Sequence, residues 1–214
     1  AGYAAEPAGN FGPPAVRVAS EVGPAGAIVA EVSSFQLALV DTFRPRVAVM
    51  LNITPDHLDY HGSMEAYASD KARIFARQEL GDVAVIDIDD PGAAATLSSA
   101  AAGSASVYRV SRHEMVRPGA CMVDDVLTFH DVDGEAHSLL PASHLIIRGD
   151  HNVSNALAAA AAAFALGATP AAVARGLATF EPIEHRLEPA GVMAGVEYFN
   201  DSKATNPDAV IKAL

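Results

Sequence analysis

Cys121 is the only cysteine in the chain, so no intramolecular disulfide can form, nothing points to an oxidising compartment, and the thiol reads as structural. Long apolar runs are missing too. The longest, around Ala156 to Leu166, is mostly alanine and too short to cross a bilayer. No basic segment precedes an apolar stretch at the start, and a cytoplasmic location is the expectation. Basic residues are scarce: 14 Lys and Arg stand against 26 Asp and Glu, a formal net charge of −12. Neither nucleic acid nor an anionic membrane is an expected partner, because both demand clustered cations to displace counterions. A polyphosphate ligand would have to be held locally, by a divalent cation, by one or two placed Arg or Lys side chains, or by a helix N-terminus.

The 214 residues, 50% hydrophobic and 19% charged, suffice for a sizeable core and for one domain or slightly more. Apolar stretches at 27–32, 47–53, 83–88 and 105–110 alternate with helical ones at 63–78 and 91–102. Continuous apolar strands between helices predict an α/β fold, a mostly parallel sheet with helices on both faces. Between Ala120 and Leu140, two short β-rich runs and a turn candidate at Asp133-Gly134 predict a small antiparallel hairpin at the sheet edge. A helix from about Asn152 to Leu166, closed by Gly167, and another opened by Pro170 follow. The pattern restarts with a strand near 196–199, a polar loop and a helix opened by Pro207, which sets a domain boundary near Leu187.

Chemistry-bearing residues gather after the apolar strands. Glu31 ends one of them, at the carboxyl edge where α/β sheets bind ligands, although a solvated strand-end glutamate has the same position. Asn52, Thr54, Asp56, His57, Asp59 and His61 follow the next. Hard cations such as Mg²⁺ take oxygen ligands at roughly 2.0–2.1 Å and keep several waters, so one or two carboxylates with substrate phosphates suffice. Lys71 lies four residues beyond Tyr67, on the same face of a helix. Exposed, it is an ordinary solvated lysine. Buried, its amine falls below the usual value of about 10.4, and the neutral form can take up CO₂ as a carbamate, turning a cation into a carboxylate.

The strings EVSSFQL and LNITPDHLDYHGSMEAYASDKARIF resemble the central domain of the Mur ligases, a family that includes the folylpolyglutamate synthetases. By that resemblance Glu31, His57 and Lys71, the last as a carbamate, hold Mg²⁺ around ATP, and His57, Lys71 and Lys203 count as catalytic. SSFQL is similar to the subtype that adds D-glutamate to UDP-N-acetylmuramoyl-L-alanine, whereas the diaminopimelate- or lysine-adding type tends to carry SSH. Ser33, Gln36 and Asn10 would then face the muramoyl-alanine substrate. GDHNVSNALAAA resembles the family's adenine-binding helix start, which implies that Asn152 and Asn155 read the base; from spacing alone they read as helix caps. Arg186 in EHRLE matches an arginine that neutralises nucleotide phosphates. In YFNDSKATN, Asp201 would hold the ribose, and Lys203 and Thr205 would face the reacting carboxylate and amino-acid side.

Two features depart from the family pattern. There is no Gly-Lys dipeptide, so the glycine-rich phosphate loop is missing, and the N-terminal uridine-binding and most C-terminal segments are not represented. The resemblance therefore implies a piece of a longer ligase: 1–187 as the central ATP-binding domain truncated at its N-terminus, and 188–214 as the start of the C-terminal domain. Alone, such a piece is expected to be inactive. Another amino-acid-adding member, a folylpolyglutamate synthetase-like ligase, or a non-catalytic ligase-derived binding domain are the alternatives. All these readings share one geometric expectation: Glu31, His57 and Lys71 meet at one rim of a single sheet.

Overall fold

The computed structural model describes residues 4–10, 12–147, 149–205 and 210–211. Of the helix expected after Pro207 only Val210 and Ile211 are described, both helical, and Asn206 of the polar loop lies outside the described residues. The described strands form three sheets. β1 (Ala5–Gly9) and β2 (Ala27–Glu31) pair in parallel, joined by α1 (Ala15–Val22). A six-stranded sheet runs β3 (Val47–Met50), β4 (Val83–Asp87), β5 (Ser106–Ser111), β6 (Gly119–Val123), β7 (Val126–His130), β8 (Ala136–Pro141) in spatial order. It is parallel from β3 to β6 and antiparallel from β6 to β8. The last sheet is an antiparallel hairpin of β9 (Glu188–Met193) and β10 (Val196–Asn200).

β4 is covered on both faces, which is why its run from Val83 to Ile86 is continuously apolar. Every residue of β4 is buried, and its side chains alternate between two cores. Val83 and Val85 join Val110, Leu127, Phe129 and Leu157 beneath α7 (Asp150–Ala165). Ala84 and Ile86 join Met50, Tyr67 and Phe75 on the opposite face. That face is covered by α4 (Met64–Ala72), α5 (Pro91–Ala94) and α6 (Leu97–Ala101). The alanine bias of α7 acquires a reason here. Ala156, Ala158, Ala160 and Ala161 are buried along with Leu157, and their small side chains let the helix lie close over the strands. At its end the Gly167 N–H donates to the Phe164 carbonyl at 2.8 Å with φ +79°, the left-handed stop that glycine adopts without steric penalty. α8 (Pro170–Ala178) follows with proline in its first turn, as expected.

Three expectations need correction. The strand carrying Glu31 is not part of the sheet that carries His57: β2 bonds only to β1, and β3 only to β4, among the described residues. With no strand joining them, β2 is not doubly covered as its apolar run suggested, and Val29 is 64% exposed. The single small-residue helix at 91–102 is two short helices, because the Thr96 hydroxyl turns back onto the Ala93 carbonyl at 2.7 Å and competes with the ladder. The helix at 63–78 stops at Ala72 and tightens into a 3₁₀ turn at Arg73–Phe75. The edge hairpin is present as β7 and β8, with β6 adding a third strand through an Asp124-Asp125 turn whose residues have φ +47° and +61°.

Leu157 is fully buried at the centre of the α7 face, so Leu157→Ala should cost about 2–5 kcal/mol, measured by denaturant unfolding.

Candidate functional site

The site begins at the ends of β1 and β2. Gly9 pairs with Glu31 at φ +101°, and any Cβ there would strike the Glu31 carbonyl oxygen, so only glycine permits this approach. The chain then places Asn10 against Glu31: its backbone N–H donates to the Glu31 carbonyl at 2.8 Å and its amide to the Glu31 carboxylate at 3.3 Å. Immediately beyond, Ser33 caps α2 (Ser34–Leu39). The Ser33 hydroxyl accepts from the Gln36 N–H at 3.3 Å while the Gln36 side chain accepts from the Ser33 N–H at 2.9 Å. This reciprocal capping box satisfies both side chains locally.

After β3, His57 adopts φ +51°, ψ +30° as it opens α3 (Leu58–His61), a left-handed conformation that costs a non-glycine residue free energy. Its N–H donates to the Asp56 carboxylate at 2.9 Å, and the Phe35 ring lies 4.9 Å from its imidazole. Ile53 N–H and Ala93 N–H both donate to Asp90, at 3.0 and 2.8 Å, tying the loop after β3 to the start of α5.

Lys71 on α4 is the electrostatic centre. Burial pushes its amine below the ordinary lysine value, against the opposing pull of the Asp56, Glu31 and Asp90 carboxylates. Its ammonium nitrogen stands 5.3 Å from the centre of the Tyr67 ring, the same-face neighbour expected from a four-residue spacing. The structure thus brings Glu31 from one sheet and the loop of His57 from another to a common lysine, with helices rather than a shared sheet as the connection. Carboxylates brought from three segments toward one partly buried amine suit a hard divalent cation.

A second group surrounds the start of α7. Asn152 and Asn155 lie in its first two turns, with the Asn155 amide donating to the Asn152 side-chain oxygen at 3.2 Å. Sequence reading missed their surroundings. Asp87, buried at the end of β4, is raised by burial, which outweighs hydrogen bonds from the Asp89 N–H and the Ser154 hydroxyl. Asp89 accepts from the Ser111 hydroxyl at 2.6 Å and the Arg112 N–H at 2.7 Å, and Arg112 pairs with Asp150 at 2.8 Å. The signal was present as the acidic run Asp87-Ile88-Asp89-Asp90 after an apolar strand.

The third group joins two separate strings. Asp201 accepts from the Leu187 N–H at 3.1 Å, and the Lys203 N–H donates to the His185 carbonyl at 3.1 Å. His185 and Leu187 flank Arg186 with φ +67° and +46°. Arg186, Lys203 and Thr205 are exposed. β9 was not anticipated; its turn at Ala194-Gly195, φ +51° and +80°, is the hairpin signal that was passed over.

Acids that follow strands of two different sheets act on one lysine in this α/β domain, and the sequence places the domain within a family. Residues 18–163 match the Mur ligase middle domain, and the chain belongs to that family. It is 47% identical over 206 residues to the UDP-N-acetylmuramoylalanine--D-glutamate ligase of Pelotomaculum thermopropionicum, covering 96% of this chain and 44% of that protein. The ligase of the same name from Solibacter usitatus is 39% identical over 214 residues, 100% of this chain and 47% of that protein. The chain spans less than half the length of these curated relatives. In fold it resembles a UDP-N-acetylmuramoyl-L-alanyl-D-glutamate--2,6-diaminopimelate ligase, with TM-score 0.65, 25% identity, and coverage of 90% of this chain and 40% of that one. It also resembles the MurF ligase of Thermotoga maritima in complex with ADP, with TM-score 0.62, 18% identity, and coverage of 88% and 43%.

Asp87 supplies a pH test. Its folded pKa lies above the ordinary 3.8, so the folded state binds more protons and stability falls as pH rises from that value through the raised one. Asp87→Asn, which keeps an acceptor for Asp89 and Ser154, should therefore stabilise the protein at neutral pH, with the gain vanishing below pH 3.8, measured by urea unfolding across pH.

Proposed function

We propose that this chain is the central ATP-binding part of a ligase that adds D-glutamate to UDP-N-acetylmuramoyl-L-alanine in peptidoglycan synthesis, working in the cytoplasm. Its first 187 residues would form that domain and the hairpin from Glu188 would open the next; the pairing of β9 with β10 alone supports the boundary. The observation that carries the reading is Lys71, partly buried on α4 and acted on by the carboxylates of Glu31, Asp56 and Asp90, of which Lys71 and Glu31 are positions that the family resemblance assigns to metal.

The chemistry follows from charge. The muramoyl-alanine carboxylate attacks the γ-phosphorus of ATP, ADP leaves, and the resulting acyl phosphate is attacked by the D-glutamate amine. The amide forms as phosphate departs and the amine loses a proton. Mg²⁺, when bound, would neutralise the phosphate charge, held by Glu31, His57 and Lys71 as carbamate. The lowered pKa of Lys71 favours that modification: the neutral amine forms a C–N bond to CO₂ and releases one proton, leaving a carboxylate. Asn152 and Asn155 would read the adenine edge, Arg186 would offer a planar guanidinium to phosphate oxygens, and Asp201 would hold the ribose. Asn10, already bonded to Glu31, would stand between the metal ligands and the reacting end of the substrate, with Ser33, Gln36, Lys203 and Thr205 around it.

In the full-length ligase, Glu31→Gln and His57→Ala should each lower kcat/KM by about 100-fold or more, the scale of losing one electrostatic stabiliser. Phosphate release with UDP-N-acetylmuramoyl-L-alanine and D-glutamate measures this, and unchanged rates would refute the assignment. The 214-residue chain alone, without a Gly-Lys phosphate loop, should release no phosphate in the same assay.

A further inference from the structure

His61 is a buried histidine that the reaction above does not use. Its side chain is wholly inaccessible, yet both ring nitrogens are engaged: Nδ1 lies 2.8 Å from the Asp70 carboxylate and Nε2 lies 3.0 Å from the Ser34 hydroxyl. An ionised carboxylate can only accept, so Nδ1 carries the hydrogen, and in the neutral ring Nε2 accepts from Ser34. Phe35, Tyr60 and Tyr67 enclose the imidazole, with ring centres 5.5, 4.8 and 5.2 Å away. The order carboxylate, imidazole, hydroxyl is that of a nucleophilic triad, but Ser34 is only 4% exposed and its oxygen is not available to a substrate.

Connectivity gives the arrangement its meaning. Ser34 begins α2, three residues after Glu31 and beside Ser33. Asp70 is on α4, next to Lys71. His61 ends α3, which His57 opens. The imidazole therefore joins the three segments that carry the three metal-site residues. It does so where the sheet does not, because β2 and β3 share no hydrogen bonds.

We propose that His61 is a positioning residue that sets the Glu31 loop against the Lys71 helix through Ser34 and Asp70, and so sets divalent-cation affinity. The inference rests on the metal-site reading of Glu31, His57 and Lys71. A ring locked by two hydrogen bonds, one charge-assisted, and three aromatic contacts has little freedom. Removing those bonds would leave the two helices in contact but free to shift, and carboxylates displaced by fractions of an ångström bind a small cation poorly.

The test is Mn²⁺ binding to the full-length ligase with ADP present, read as the loss of the free-ion paramagnetic resonance signal beyond that caused by ADP alone, with thermal unfolding measured in parallel. His61→Phe retains the ring packing and removes both bonds; Ser34→Ala removes only the link to α2. Each should weaken Mn²⁺ binding by roughly ten-fold, the scale of one hydrogen bond to a charged group. The double variant should be no weaker than His61→Phe, since both break the same connection. Val110→Ala, in the core on the other face of the sheet, should lower the unfolding midpoint and leave Mn²⁺ affinity unchanged. If His61→Phe and Ser34→Ala lower the unfolding midpoint but bind Mn²⁺ as wild type does, His61 is purely structural and the proposal is overturned. If wild type itself binds no Mn²⁺ with ADP, the underlying metal-site reading fails, and this inference with it.

Discussion

A lysine amine partly withdrawn from water holds its proton less firmly unless neighbouring negative charge opposes the loss, and Lys71 is placed between these two effects. Burial disfavours its protonated form, while Asp56, Glu31 and Asp90 favour it. Those carboxylates come from three different segments: the end of β2, the loop after β3 and the cap of α5. Any displacement of one segment changes the balance at the amine. The surrounding structure can be understood as what keeps these segments in place.

The supports differ in kind. Asp90 reaches across to the Ile53 N–H and caps its own helix with the same oxygen. Glu31 is approached by Gly9 and Asn10, a contact that needs glycine's missing Cβ. His57 is held in a left-handed conformation with its N–H on Asp56. Behind them the six-stranded sheet supplies rigidity, since packed cores on both faces of β4 leave its strand ends little room to move.

Much of this was legible from residue order. Strands at 83–87 and 106–111, the α7 stop at Gly167 and the helix opened by Pro170 follow from apolar runs, turn residues and caps, which are local properties. The pairing of Tyr67 with Lys71 follows from helical spacing. Asp87 and its network escaped notice because an acidic run after a strand reads as solvated surface until the helix that buries it is in place. His61 stood in the polar cluster after β3, but its partners were not legible there, for a related reason. Its partners lie 27 residues before it and 9 after it, and no periodicity connects Ser34, His61 and Asp70.

Residue order alone was enough to establish an α/β chain of the Mur ligase middle domain family, because periodicity, turn chemistry and local strings are written in short windows of sequence. Whether Glu31 and His57 share a sheet was a matter for packing. β2 and β3 belong to different sheets, and their ends meet through α2, α3 and α4. Hydrogen-bond pairing between strands, the burial of Lys71 and the enclosure of His61 are all contacts between residues distant in the chain. Such contacts exist only once the chain has folded, which is why the site's electrostatics belong to the tertiary structure.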